Sequence, residues 1–218
     1  ALLIAFIAST ANLKNASAEK DELIGQTRWN LGILFVGISV LLFMLAKISI
    51  FIWAPLFVEQ DFGADIVQTG RVLTNIFTGA FFGSLIGTYV VSRIRIEYFL
   101  VAMLSLGAIS LGVMLSVSGL QVVLFSGYFV GASIGATFNG YTAFGLSFVT
   151  NPTHKNVAYL LFAGGIGSAI APWFSSKIVA YSGEVRDALA TCLAIQCLVL
   201  VSILCLTVYS WWVDPEPR

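Results

Sequence analysis

Long apolar runs broken by short polar clusters occupy most of this chain. From residue 30 onward the runs fall at about 30–57, 69–92, 98–117, 120–150, 156–178 and 188–213. They are separated by Glu59-Gln60-Asp61, the stretch Ser92 to Glu97, Ser118-Gly119, Asn151 to Asn156, and Ser182 to Asp187. A hydrocarbon core about 30 Å thick needs roughly 20 apolar residues at 1.5 Å rise each, and every run reaches that length. Backbone groups in lipid have to be bonded within their own segment, so the runs predict six transmembrane helices. The ten-residue alternation of an outer-membrane barrel is not seen. Ahead of them, Ser9 to Arg28 is polar, charged and without apolar periodicity, and reads as a solvated linker. Ala1 to Ala8 (ALLIAFIA) is apolar, too short to span, and lacks the basic start of a signal peptide. The expected organisation is the end of a truncated helix at 1–8, a linker at 9–28, an all-α six-helix bundle at 29–213, and a tail at 214–218.

Composition agrees with a bilayer as the solvent. Of 218 residues, 58% are hydrophobic and 10% charged, where a soluble domain carries about 25% charged residues. The formal net charge is zero, which excludes a polybasic nucleic-acid binder. Cys192, Cys197 and Cys205 share one late run, so they read as packed or lipid-facing thiols and not as a disulfide framework. Basic residues sort the loops into two sides. One side holds Lys14, Lys20, Arg28, Arg93, Arg95, Lys155 and Arg218. The other holds Arg71, Lys177 and Arg186, diluted by Glu59, Asp61, Asp65, Glu184 and Asp187. The positive-inside rule then places the linker, both termini and the tail in the cytoplasm, in a bacterial inner membrane. The sequon Asn15-Ala16-Ser17 goes unused in that orientation. Trp29, Trp53, Trp173, Trp211, Trp212, Tyr98 and Tyr181 read as an aromatic belt near span ends.

One ionisable residue lies well inside a span. Lys47 is about ten residues from the far end of the first run, about 15 Å by helical rise, too deep to snorkel easily. An unpaired charge at that depth costs about 2.5–3.5 kcal/mol on insertion scales. It reads either as a cavity-facing cation that meets an anionic substrate or a carboxylate from elsewhere, or as a structural lysine bonded to helix carbonyls. A proton-carrying role is a third use of the same group. Phe43 and Phe51 lie one turn to either side on its face, as platforms for a ring substrate or as lipid-facing side chains. Asn75, Gly79, Gly83 and Gly87 recur every four residues in the second span, and Gly127, Gly131, Gly135 and Asn139 in the fourth. Small residues at this spacing let helices approach closely, so each asparagine either bonds across a helix interface or faces a polar substrate. Gly164, Gly165 and Gly167, followed by Pro172, mark a place for a bend in the fifth span, and Pro55 a break in the first. Arg71 is expected to pair with Asp65. Arg93, Arg95 and Glu97 form a charge cluster that reads as an anchor or a cytoplasmic gate. The tripeptides Ser92-Arg93-Ile94 and Ser176-Lys177-Ile178 read as an echo at the ends of the second and fifth spans, as a three-plus-three repeat would give.

Enzyme readings find little support. Gly145-Leu146-Ser147-Phe148 with the sole histidine, His154, lacks a nucleophile elbow, and the glycine run lies inside a span, so it is not a phosphate loop. One histidine, with cysteines confined to one helix, gives no metal site. The expectation is a non-enzyme without metal or cofactor.

Six helices after a charged linker, with Phe162-Ala163-Gly164-Gly165-Ile166-Gly167-Ser168-Ala169-Ile170-Ala171-Pro172 in the fifth, resemble the C-terminal half of a major facilitator superfamily transporter. Ile52-Trp53-Ala54-Pro55 and Gly70-Arg71-Val72-Leu73-Thr74-Asn75 are similar to the TsgA-type branch, near the fucose-permease-like sugar carriers. The resemblance implies half of a carrier with two inverted three-helix repeats, partnered by an N-terminal six-helix half and working by alternating access on a small molecule. It departs from the family at Gly87-Thr88-Tyr89-Val90-Val91-Ser92-Arg93-Ile94-Arg95, which keeps a glycine and two arginines of the loop signature but lacks its aspartate. Lys47 stands where the branch has an uncharged polar residue, so no substrate carries over. The alternative from another class is a non-transporting six-helix scaffold or an oligomeric channel subunit.

Overall fold

The computed structural model describes residues 30–149 and 152–213, and the side chains of 210–213 are not among those described. The expected helix end at 1–8, the expected linker with its basic residues and sequon, Trp29 and the tail at 214–218 lie outside the described residues. Six helices follow one another: α1 (Leu31–Phe62), α2 (Ile66–Val91), α3 (Ile96–Ser116), α4 (Leu120–Ser147), α5 (His154–Ser182) and α6 (Val185–Val213). Each is long and apolar enough to cross a membrane, and no strand occurs among the described residues.

The helix ends are set by local chemistry, and there the apolar runs misjudge them by up to five residues. Glu59, Gln60 and Asp61 do not break the first span. They form its last turns, and α1 stops only at Gly63, whose φ of 61° is a left-handed cap. Asp65 then starts α2 with a capping box: its carboxylate accepts from the Gln68 amide at 2.7 Å, and the Gln68 side chain accepts from the Asp65 amide at 3.1 Å. Asp65 is therefore used as a cap and does not pair with Arg71. Gly183, with φ 80°, closes α5 in the same way as Gly63 closes α1.

Neither proline interrupts its helix. Around Pro172, hydroxyls supply bonds to the backbone: Ser175 donates to the Ala171 carbonyl at 2.7 Å and Ser176 to that of Pro172 at 2.6 Å. These bonds reach carbonyls beside the proline and not that of Ser168, which the proline leaves without its N–H partner; a spanning helix tolerates that loss. The tripeptide echo also fails in position. Ser92 caps α2, whereas Ser176 is inside α5.

Packing carries a repeat that those tripeptides do not. The most extensive helix contacts are α2 with α4 and α1 with α5, then α3 with α4 and α1 with α6, then α3 with α6. Advancing every label by three, cyclically, turns the first pair into the second, the third into the fourth, and the last into itself. Because successive helices alternate in direction, the two three-helix units run inverted. Two apolar cores lie along the bundle, and α1 contributes to both: Ile50, Ala54, Phe57 and Val58 to one, and Ile33, Val36, Val40 and Phe43 to the other. α1 and α4 are the most buried helices, whereas α2 is the least.

Candidate functional site

Lys47 sits halfway along α1, the helix around which the bundle is packed. It shares a helical face with Val40, Phe43, Ile50 and Ala54, all buried, yet it is itself half-exposed. It makes no hydrogen bond or ion pair with any described residue. The reading of a lysine bonded to helix carbonyls is therefore not realised within this bundle. Every other charged side chain described lies near a helix end, and α4 carries none.

The aromatic neighbours are placed differently from either expectation. Phe43 is a core residue, 3% exposed, with its ring centroid 5.3 Å from that of Tyr141 on α4. Phe51 is half-buried and stacks on Phe77 of α2 at 5.0 Å with 24° between the planes. One ring ties α1 to α4 and the other ties it to α2, one turn below and one turn above the lysine. Both therefore hold the helix face on which Lys47 is presented.

The two asparagines part company. Asn75 donates from Nδ2 to the Leu124 carbonyl at 2.8 Å, an interhelical bond between α2 and α4. Asn139 is exposed on α4 and makes no hydrogen bond with the described residues. The glycine stripes face one another across that same α2–α4 contact. A side chain on Gly79 would overlap the Tyr128 carbonyl, and one on Gly83 the Ala132 carbonyl. From the other side, Gly131 and Gly135 lie against the carbonyls of Ile76 and Ala80. Gly87 approaches Ala136, while Gly127 keeps ordinary contact distance from Asn75. In α5 the run divides: Gly167 abuts the Leu41 carbonyl of α1, Gly164 packs against Val40 and Met44, and Gly165 faces open space.

At the Arg93 end both arginines have local neighbours. Arg93 lies over the Tyr89 ring at 5.5 Å, and Arg95 is 3.5 Å from Glu97 and lies over Tyr98. The belt residues also separate. Tyr98 and Tyr181 are exposed near helix ends, whereas Trp53 packs against the core.

Several features escaped the sequence reading. Gln196, 4% exposed in α6, and Ser133, fully buried in α4, both crowd the space that a side chain on Gly107 of α3 would fill. A glutamine in mid-span was the available signal. Ser49 donates to the Ala171 carbonyl and contacts the Cys192 thiol, joining α1, α5 and α6 two residues beyond Lys47. Tyr159 of α5 donates to the Leu34 carbonyl of α1 at 3.1 Å. Arg186 of α6 pairs with Asp61 of α1 at 3.3 Å and donates to the Leu115 carbonyl of α3, joining three helix ends. Two apolar grooves, of about 400 Å³ between α1 and α6 and about 350 Å³ among α2, α3 and α4, do not include Lys47.

Comparison with known proteins fits this architecture. The chain is similar to the protein TsgA homologs of Yersinia enterocolitica (21% identical over 198 residues, 91% of this chain and 50% of the relative) and Serratia proteamaculans (22% over 194 residues, 89% and 49%). That of Edwardsiella ictaluri is 23% identical over 180 residues, covering 82% of this chain and 45% of the relative. The fold matches the POT family transporter PepTSo with a TM-score of 0.70 at 12% identity, over 88% of this chain and 40% of that one. The six helices have a major facilitator fold. The chain spans about half the length of the curated relatives it matches. No family model matches the chain.

Proposed function

We propose that this chain is the C-terminal half of a secondary transporter of the major facilitator type, moving a small polar or anionic solute by alternating access. The observation that carries the reading is Lys47, a cation halfway along the central helix, half-exposed, with no counter-charge among the described residues of the bundle. A lone ammonium at that depth requires a partner from outside the bundle, and an anionic cargo or a carboxylate of an N-terminal six-helix half supplies one. The half-length match to the TsgA homologs supports a second bundle. A closed scaffold gives no such reason for an unpaired central charge. In this mechanism the bundle rocks against its partner around a mid-membrane site, with Lys47 and Asn139 on the cavity side. The linker and both termini are cytoplasmic, in a bacterial inner membrane.

The test starts with a thermal-shift screen of small anions, sugars and nucleosides against the intact protein. Uptake of the stabilising solute into proteoliposomes follows. Removing one partner of a desolvated charge pair costs about 2 kcal/mol or more, roughly 30-fold in affinity. Lys47→Ala should therefore weaken solute binding by about that factor, and Lys47→Arg should keep part of it. Unchanged uptake kinetics in Lys47→Ala would refute the role.

A further inference from the structure

α2 and α3 follow one another in the chain yet hardly touch, because the glycine stripe draws α2 onto α4 instead. The gap between them, floored by α4, is a groove of about 350 Å³. It runs from Gly79 and Leu106, halfway along their helices, to Val90 and Phe99 beside the α2–α3 turn. By helical rise that is about 16 Å on α2, half of a hydrocarbon core about 30 Å thick. Phe82 and Ile86 of α2, Met103 of α3 and Phe129 of α4 wall it, and almost nothing polar lines it. Phe82, Ile86 and Phe129 are exposed. About 350 Å³ spread over about 16 Å leaves a cross-section of about 22 Å², room for one hydrocarbon chain and far too little for a helix about 10 Å across.

At its shallow end the groove opens onto charge. Val90 and Phe99 each follow an exposed tyrosine, Tyr89 and Tyr98. Each of those rings carries an arginine, Arg93 at 5.5 Å and Arg95 at 5.8 Å from the ring centroids. Tyrosine rings sit at the headgroup level of a bilayer, so both guanidinium groups lie where lipid phosphates lie. Glu97, 3.5 Å from Arg95, offsets one of the two charges. Arg93 has no carboxylate partner among the described residues.

We propose that this groove binds one anionic phospholipid from the leaflet on the Arg93 side, with an acyl chain between α2 and α3 and the phosphate against Arg93 and Arg95. The chain covers the exposed flanks of Phe82 and Ile86 and joins two helices that have little direct contact. The headgroup supplies the anion that Arg93 does not find within the bundle. Two guanidinium groups against one carboxylate leave a net positive rim, which favours phosphatidylglycerol over the zwitterionic phosphatidylethanolamine. The site does not involve Lys47 and stands or falls apart from the transport reading.

Native mass spectrometry of the intact protein, delipidated in detergent and titrated with phosphatidylglycerol or phosphatidylethanolamine, tests it. Phosphatidylglycerol should bind the tighter, with one site filled first. A basic residue at the membrane surface contributes about fivefold to anionic-lipid affinity. Arg93→Gln combined with Arg95→Gln should therefore weaken that first site by about 30-fold, towards the phosphatidylethanolamine value. Met103→Trp, which fills the groove, should weaken both lipids alike, and Ile86→Trp on the opposite wall serves if that variant does not fold. Phosphatidylglycerol carrying a diazirine on its acyl chain should cross-link at Ile86, Met103 or Phe129. Equal affinity for the two lipids, a first site indifferent to the arginine or to the tryptophan variants, or cross-links scattered over all six helices would each overturn the site.

Discussion

Two asparagines, one opening the α2 glycine stripe and the other closing the α4 stripe, have opposite fates, and the reason is which way a helix face turns. Asn75 faces α4 and spends its amide on the Leu124 carbonyl, whereas Asn139 faces away from the bundle. Interhelical side-chain bonds in membranes average about 0.6 kcal/mol with a maximum near 1.7. Asn75→Ala should therefore lower the unfolding free energy of the reconstituted protein by about that average, read as a small drop in the tryptophan-fluorescence melting point. Asn139→Ala should leave the melting point where it is and reduce solute uptake. Equal melting shifts would remove the distinction between a packing amide and a cavity amide. The polarity of these residues was visible in the sequence, but their sidedness was not. A four-residue repeat puts a side chain on a stripe without saying whether a neighbouring helix covers that position, and Asn139 is left exposed. Phe43 shows the same limit. Its period with Lys47 was legible, while the Tyr141 ring that buries it comes from a helix almost a hundred residues away.

At the scale of the helix, the apolar runs predicted all six elements because length and hydropathy decide insertion before packing decides anything else. The boundaries followed a different chemistry. Charged residues at 59–61 stay helical because a helix end that reaches water costs them nothing, and the chain turns only where Gly63 accepts a left-handed backbone. The prolines misled for a related reason, since neither one stops its helix and a spanning helix tolerates the bond that proline removes. The glycines were read as packing residues, and the structure shows which of them touch a neighbouring backbone. A leucine at Gly131 would meet the Ile76 carbonyl, and one at Gly167 the Leu41 carbonyl, whereas Gly165 opens onto empty space. Overpacking a tight contact costs about 1–3 kcal/mol. Gly131→Leu and Gly167→Leu should each lower the melting point of the purified protein, and Gly165→Leu should change it far less within this bundle. If Gly165→Leu abolishes uptake while the bundle stays folded, that open face belongs to the contact with the other half.

For the molecule as a whole, the inverted repeat brings charge to the two ends unequally. Among the described residues, the end shared by the α1–α2, α3–α4 and α5–α6 turns carries Glu59, Asp61, Asp65, Glu184 and Asp187 beside Arg71, Lys177 and Arg186. The opposite end carries Arg93, Arg95 and Lys155 with Glu97 alone against them. Loop lysines and arginines set orientation and acidic residues contribute little, so the decisive comparison adds the basic residues of the linker to the second end. On that rule the α4–α5 loop is expected in the cytoplasm and the α1–α2 turn outside. Single cysteines in a protein whose exposed Cys197 and Cys205 have been replaced by serine test this directly. A membrane-impermeant maleimide added to intact cells should label Gly63→Cys and Asp65→Cys, both at an exposed turn, and should reach Thr153→Cys or Ser17→Cys only after the cells are opened. The reverse pattern would invert the bundle and leave Lys47 where it is, since a residue halfway along its helix is equally deep from either side.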